Sequence, residues 1–433
     1  MNEVNSNKLR FTINDSKLFK IKMLNWLSRF NIFCLLDNNH YQFAGPGFEL
    51  LAAAGCKRSI KLEKGSNLAA LKAFSKENKN WLFGHFGYDL LNAGITNYNQ
   101  NPEDVNFEDG FFFIPEILVK LANGQVIIES DSRPAEEVFS EIESQPATIN
   151  KIPFGEINVQ ASVSRDEYIH QLKQVKEHIH RGDCYEINFC QSFFAKQVNI
   201  DTVYFYHKLT SLSPNPFSAF YRINDRYCMC ASPERFLKKN GNVVISQPIK
   251  GTSKRVLSDS TLDEANKQYL LHSPKERSEN VMIVDLVRND LSKVCTEGSV
   301  HVSELFAVYS FPQVHQLIST VKGKVDEEVD WTDIIKACFP MGSMTGAPKK
   351  KVLELINRYE EIPRGIFSGS IGYVTPDRDF DFNVVIRSLM YDASKQLINF
   401  KAGGGITFNS DVDKEYEESL LKAEAIMHVL NIS

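Results

Sequence analysis

The sequence has little that would commit it to a membrane, to nucleic acid or to disulfides. None of its apolar runs approaches the ~18 residues that a membrane-spanning helix needs. Even FFFIPEILV at 111–119 is interrupted by Pro115 and Glu116. Positive charge is not in excess: 49 Lys and Arg stand against 54 Asp and Glu, a net charge of −5, which leaves no electrostatic footprint for nucleic acid. The eight cysteines contain no CxxC pair, and reduced thiols in a cytoplasmic protein are the expectation. The start, MNEVNSNKLRFTIND, lacks the charged-then-apolar pattern of a signal peptide. No GxGxxG opens a helix after a strand, and GSMTGAPKKK (342–351) is not a P-loop, because no Gly-Lys-Ser/Thr follows its glycines. No cysteine sits in a Gly-x-Cys-x-Gly elbow, so the chain carries no candidate glutaminase nucleophile.

What is present is a globular composition, 43% hydrophobic and 24% charged over 433 residues, long enough for a large core. Short strands and helices rich in aromatics run to about residue 140. The polar stretch IESQPATINKIP (142–153) reads as a linker, dividing a region 1–145 from a region 155–433. A helix begins at Ser164 and ends near Gly182. Strands follow in CYEINFCQSFFAK, PFSAFYRI, RYCMCAS and NVVISQPI, with partial alternation that suggests antiparallel sheet with one covered face. Helices return at 273–293, 331–338, 347–359 and 411–430. Between the last two lie the strands SIGYVT, FDFNVVIRSLMYD and QLINFKAGGGITF. Strands mixed with helices in this way point to α+β.

Two helices carry acids on faces that turn apolar further along. In SPKERSENVMIVDLVRNDL, Ser273, Pro274 and Glu276 fit N-cap, N1 and N3. At 100° per residue, Glu276 and Glu279 share a stripe with Ile283, Leu286, Val287 and Asp290. In DKEYEESLLKAEAIMHVL, Glu415, Glu418 and Lys422 share a stripe with Ile426 and Val429. Four inward carboxylates cannot be buried bare, and a hard divalent cation such as Mg²⁺ would resolve the conflict. Glu276 and Glu415 are equally accounted for as first-turn acids. Gly403-Gly404-Gly405 reads either as an anion cradle or as a β-bulge. Thr345 opens a helix whose N-terminus accepts anions. Arg387, in NVVIRSL, is a cation in an apolar strand, partnered by a structural acid or by a ligand carboxylate. His315, in FPQVHQLIST, is a core histidine by default. Lys250, in QPIKGTSKR, is either a surface cation or a nucleophile held at a strand end.

Five motifs occur in order: SPERF (232–236), PIKGT (248–252), ENVMIVDLVRNDL (279–291), MGSMTGAPK (341–349) and GGGIT (403–407) with EYEESLLK (415–422). Together they resemble the chorismate-utilising enzymes, which include anthranilate synthase component I, aminodeoxychorismate synthase component I, and the isochorismate and salicylate synthases. The resemblance is strong over about 160–430 and weak before that. It implies two packed antiparallel sheets flanked by helices, with both halves of the chain contributing strands. PIKGT, in place of the PIAGT usual in anthranilate synthases, implies aminodeoxychorismate synthase component I, which makes 4-amino-4-deoxychorismate from chorismate and ammonia on the route to p-aminobenzoate and folate. The ammonia would come from a separate glutamine amidotransferase subunit.

The same resemblance assigns roles. Lys250 is the nucleophile at C2, which requires a depressed pKa. Glu234 is the general acid for the departing C4 hydroxyl. Glu279 and Glu418 are direct Mg²⁺ ligands, with Glu276 and Glu415 acting directly or through water. Tyr373 and Arg387 bind carboxylate, Gly404, Gly405 and Lys422 make further anion contacts, and His315 matches a histidine near the substrate ring. Glu186, in CYEINFCQ, stands where many members have Gln and isochorismate-forming members have a base Lys. That departure argues against water addition at C2.

Overall fold

The computed structural model describes residues 8–41, 47–65, 68–91, 103–150 and 157–431. Two antiparallel sheets dominate it. The larger has twelve strands among the described residues. From one edge these run Lys8–Thr12, Gln125–Ser130, Ile117–Ala122, Leu50–Ala54, Ile32–Asp37 and Phe217–Ile223. They continue through Arg226–Ser232, Ser388–Asp392, Leu397–Thr407, Glu186–Ala195 and Gly346–Ala347, with Gln160–Ala161 beside Glu186–Ala195 as the twelfth. The smaller has ten, in the order Ile249–Lys254, Val314–Lys324, Val243–Gln247, Arg235–Asn240, Phe380–Asn383, Ser370–Val374, Leu82–Phe86, Gly110–Ile114 and Arg58–Leu62, with His301–Ser310 beside Val314–Lys324. Each sheet takes strands from both sides of the 142–153 stretch. Ile32–Asp37 pairs with Phe217–Ile223 in the larger sheet, and Leu82–Phe86 pairs with Ser370–Val374 in the smaller. The 142–153 stretch itself opens inside the helix Ala135–Glu143, and its last residues, 151–153, lie outside the described residues.

The strands of the larger sheet are apolar on both faces. Phe33, Leu35, Ala52, Ala54, Phe220 and Met229 join a core under the helices Ser16–Leu27, Ala135–Glu143 and Thr202–Leu212. Their neighbours Cys34, Leu51, Ala53, Tyr221, Cys228 and Cys230 join a second core with Phe83, Phe112, Val321 and Phe382 of the smaller sheet. The reading of one covered face is therefore corrected: helices cover one face and the second sheet covers the other. Glu186–Ala195 is buried at all ten positions, which is why its sequence reads as a near-continuous apolar run with weak alternation.

The helix reading holds for three elements and is corrected at Thr345, which closes the short turn Gly342–Met344 and does not open the helix Lys349–Tyr359. Ser164 caps Arg165–His180, and Gly182 follows with φ +79°, the left-handed turn glycine tolerates. Ser273 caps Pro274–Ser292 through a bond from the Glu276 N–H at 3.4 Å. The last helix is Val412–Val429. A helix at Ser260–His272 has no counterpart in the sequence reading. Its Leu262 and Tyr269 are exposed and Leu270 is its one buried residue, so it lacks the apolar stripe that betrays a packed helix.

Candidate active site

Lys250 stands where the two sheets meet. Its strand, Ile249–Lys254, pairs with Val314–Lys324, and the register slips between Ile249 and Thr252. Gly251 supplies the slip with φ +88°, and such a bulge re-aims the adjacent side chain. The Lys250 ammonium reaches across to the larger sheet and donates to Glu186 Oε1. The Lys250 side chain is 10% exposed and that of Glu186 is 1% exposed. The other Glu186 oxygen, Oε2, is buried with no hydrogen-bond partner. Gly405, paired with Asn188, closes the site behind them. A Cβ there would lie 2.9 Å from Glu186 Oε1 and 3.0 Å from Lys250 Nζ.

This arrangement reverses the depressed pKa expected of Lys250. Burial alone would lower it, but the carboxylates of Glu186, Glu279 and Glu234 outweigh burial and raise it. The sequence places Glu186 64 positions away from Lys250, on a strand of the other sheet, so no local pattern announces the pair.

Glu234 follows the strand Arg226–Ser232. It is 6% exposed, and its backbone N–H donates to Ser232 Oγ at 3.1 Å. Burial pushes its carboxyl up to about 7, against a hydrogen bond with Ser343 and the charge of Lys250, which pull it down. Glu234 and Ser343 line a small cavity with Gly342, Met341 and Pro248. The carboxyl is thus poised to hold and release a proton near neutrality.

The two acidic helices face each other beside Lys250. Glu279 and Glu415 are buried, whereas the Glu418 side chain is 45% exposed and pairs with Lys422 at 2.7 Å. The Glu276 carboxylate lies against Gly251, where a Cβ would meet its Oε2 at 2.8 Å. Burial raises the pKa of Glu279 to about 7, and burial likewise raises Glu276 and Glu415. At Glu418 burial is outweighed by Lys422, and the pKa falls. Lys275 stands between the helices, 4.0 Å from Glu279 and 3.9 Å from Glu415. Among the described residues no three His, Cys, Asp or Glu side chains are gathered as a ready ligand set. The donors nevertheless fit a hard divalent cation: all are oxygens, they repel one another, and Glu279 Oε1 is buried without a hydrogen-bond partner.

The remaining sequence-named residues fall into two groups. Gly404 and Gly405 lie in an unbroken strand, neither loop nor bulge, paired with Phe189 and Asn188. The neighbouring strand Ser388–Asp392 pairs only as far as Phe400, which leaves the second edge of the glycines toward the last helix. There Lys422 donates to the Gly403 carbonyl at 3.0 Å, and a Cβ on Gly404 would lie 3.2 Å from Glu415 Oε2. Arg387 is not in a strand. It adopts φ +51° immediately before Ser388–Asp392, and burial alone lowers its pKa. No carboxylate among the described residues pairs with it.

The structure sets the other three in packed surroundings. Tyr373 packs edge-on against Phe48 and at a tilt against Trp81 and Phe83. Burial raises its pKa, and the charges acting on it are Asp381, Arg235 and Asp379, none of which belongs to the Lys250 group. The Thr345 hydroxyl turns back to the carbonyls of Met341 and Gly342, at 2.9 and 3.1 Å. His315 is 2% exposed, with Nδ1 2.8 Å from Ser310 Oγ and Nε2 3.3 Å from Asp263. Two residues escaped the sequence reading. Ser343 carries no signal beyond its place in MGSMTGAPK. Lys275 sits one position before Glu276 and reads as a surface cation.

A family model described as chorismate binding enzyme matches residues 32–428. The aminodeoxychorismate synthase component 1 of Klebsiella aerogenes is 40% identical over 270 residues, which cover 62% of this chain and 59% of that protein. The chain thus spans about three fifths of the length of that relative. An anthranilate synthase component I-like protein of Synechocystis sp. is 32% identical over 354 residues, 81% of this chain and 72% of that one. Among solved structures, the menaquinone-specific isochorismate synthase of Escherichia coli superposes with a TM-score of 0.77 at 16% identity, over 98% of this chain and 94% of that one. At that identity the likeness is one of fold.

Proposed function

Because this chain belongs to the chorismate binding enzyme family, we propose that it carries out the amination step of an aminodeoxychorismate synthase, turning chorismate and ammonia into 4-amino-4-deoxychorismate and water. The observation that carries this reading is Lys250 of PIKGT, held between the sheets beside a carboxyl, Glu234, whose pKa is about 7. The neutral Lys250 amine adds to C2 of the ring as the C4 hydroxyl departs, and Glu234 gives that hydroxyl its proton so that it leaves as water. Ammonia then forms the bond to C4 and the C2–Nζ bond breaks, returning Lys250. Arg387, which no carboxylate among the described residues satisfies, takes a substrate carboxylate. The glycine edge and Lys422 lie beside the same space.

Glu279, Glu276, Glu415 and Glu418 would hold a Mg²⁺ ion, which supplies positive charge for the ring carboxylate. The ammonia is delivered by a glutamine amidotransferase subunit, since the sequence has no nucleophilic-cysteine elbow and the name of the Klebsiella relative, component 1, implies a second component. None of the described helices is long and apolar enough to cross a membrane, in keeping with a cytoplasmic enzyme.

The test is mass spectrometry of the product from the purified chain, chorismate, Mg²⁺ and an ammonium salt. A non-aromatic aminated chorismate is expected. Fluorescent anthranilate as the main product would assign the chain to the sister activity, and no turnover of chorismate would overturn the reading altogether.

A further inference from the structure

The nucleophilic role of Lys250 leaves a proton unaccounted for. The chain holds Lys250 as an ammonium, and an ammonium cannot attack carbon. Something must take its proton when substrate arrives and return it when the amine departs. The charged groups facing Lys250 are Glu186 on the larger sheet, Glu234, Glu276 and Glu279 at the helix Pro274–Ser292, and Glu418 on the last helix.

Glu234 is engaged with Ser343 and keeps its own proton up to about pH 7 for the leaving group. Glu276 lies over Gly251. Glu279 shares Lys275 with Glu415, and Glu418 pairs with Lys422. Only Glu186 already accepts the Lys250 N–H as a hydrogen bond. Its second oxygen, buried and unpartnered, leaves the carboxylate with less hydrogen bonding than a buried anion needs. Moving one proton along the existing bond turns a buried ion pair into a neutral pair, which costs less in a water-excluded site.

Building on the reading of Lys250 as nucleophile, we propose that Glu186 is its general base. On substrate docking, the Lys250 ammonium gives one proton to Glu186 Oε1. The neutral amine forms the bond to C2, and the C4 hydroxyl leaves as water with the proton of Glu234. The adduct nitrogen stays a secondary ammonium, so it departs later as neutral amine, and the extra proton that ammonia brings to C4 recharges Glu234. When ammonia takes C4, the carboxylic acid of Glu186 returns its proton to the departing Lys250 nitrogen and restores the starting pair. Gly405 is part of the device, because any side chain there would wedge between the two groups.

The experiment follows the rate of the Lys250 adduct in full-length wild type and Glu186→Gln, with chorismate and Mg²⁺ but no ammonia, by intact-protein and peptide mass spectrometry between pH 6 and 10. Gln keeps an oxygen that accepts the Lys250 N–H but cannot take the proton. Glu234 is common to both proteins, so its titration cancels in their ratio. We expect Glu186→Gln to be slower by about 10²-fold at pH 7, with the mutant-to-wild-type ratio rising about tenfold per pH unit as hydroxide does what Glu186 did. A ratio independent of pH, at any level, makes Glu186 a positioning group and overturns the proposal. Circular dichroism establishes folding. Should Glu186→Gln fail to fold, Glu186→Asp retains a carboxylate, and its ratio to wild type is expected to be flat with pH; a rising ratio refutes the base role. If wild type yields aminated product but no adduct, the covalent role of Lys250 fails and the Glu186 role with it. If wild type yields neither, it is the functional reading that fails.

Discussion

Glu234→Gln tests the buried acid in two independent ways. A carboxyl held at about 7 in the folded chain, against an ordinary 4.5, binds its proton more tightly folded than unfolded. Between those values the folded state holds more protons, so stability falls as pH rises from about 4.5 through 7. The full gap corresponds to about 3 kcal/mol, absent in acid and complete above about pH 8. Gln does not titrate. The variant should therefore gain on wild type as the pH rises, by up to about 3 kcal/mol between pH 4.5 and 8.5. For 433 residues, at about 2.1 cal/mol/K of unfolding entropy per residue, that is about 3 °C in Tm. Thermal melts of both proteins at matched ionic strength across this range measure it. The same variant should form product about 10²-fold or more slowly, and wild-type kcat should fall about tenfold per pH unit above 7 as the acid loses its proton. A Tm gap that does not change with pH, or a variant with wild-type turnover, would refute the placement of a protonated Glu234 in the site.

Three further outcomes are expected. Gly405→Ala puts a methyl group 2.9 Å from Glu186 Oε1 and 3.0 Å from Lys250 Nζ; adduct formation should drop at least about tenfold while circular dichroism is unchanged, and full activity would mean the pair is not required. Arg387→Ala should raise KM for chorismate by about 10- to 100-fold, the worth of a charged hydrogen bond, because no carboxylate among the described residues pairs with this arginine; an unchanged KM would mean that it does not meet substrate. Glu279→Ala, or excess chelator with the wild type, should abolish turnover without loss of fold, and activity surviving either treatment would dismiss the metal.

The candidate residues were more legible in the sequence than their setting. Pro274, Glu276 and Glu279 lie within one short stretch, so helix periodicity alone brings the acids to one face, and the structure has them there. Lys250 was legible because PIKGT is a local motif. Its ionisation was not, because the deciding partner, Glu186, arrives from another sheet. Arg387 reads as a strand residue because its neighbours Val384, Val385 and Ile386 are β-formers, yet it adopts φ +51°, which no propensity encodes. Tyr373 shows the opposite case: the resemblance gives it a carboxylate to bind, and only the packing of Phe48, Trp81 and Phe83 reveals where the ring lies. The second covered face of the larger sheet was hidden because a small residue such as Ala53 or Cys34 can face either a core or solvent.

The interleaving of the sheets has a consequence for biosynthesis. Leu82–Phe86 pairs with Ser370–Val374, nearly three hundred residues later in the chain. At about 5–20 residues per second of translation, the earlier strand waits roughly 15 to 60 s for its neighbour to be made. Through that interval LFGHF, with its partner GFFFI, presents an apolar and unpaired strand edge, the kind of template on which nascent chains aggregate. Lys250 is made well before the glycine edge at 403–407 and the acids at 415 and 418 that complete its surroundings, so a chain stalled between them carries the lysine without the groups that enclose it.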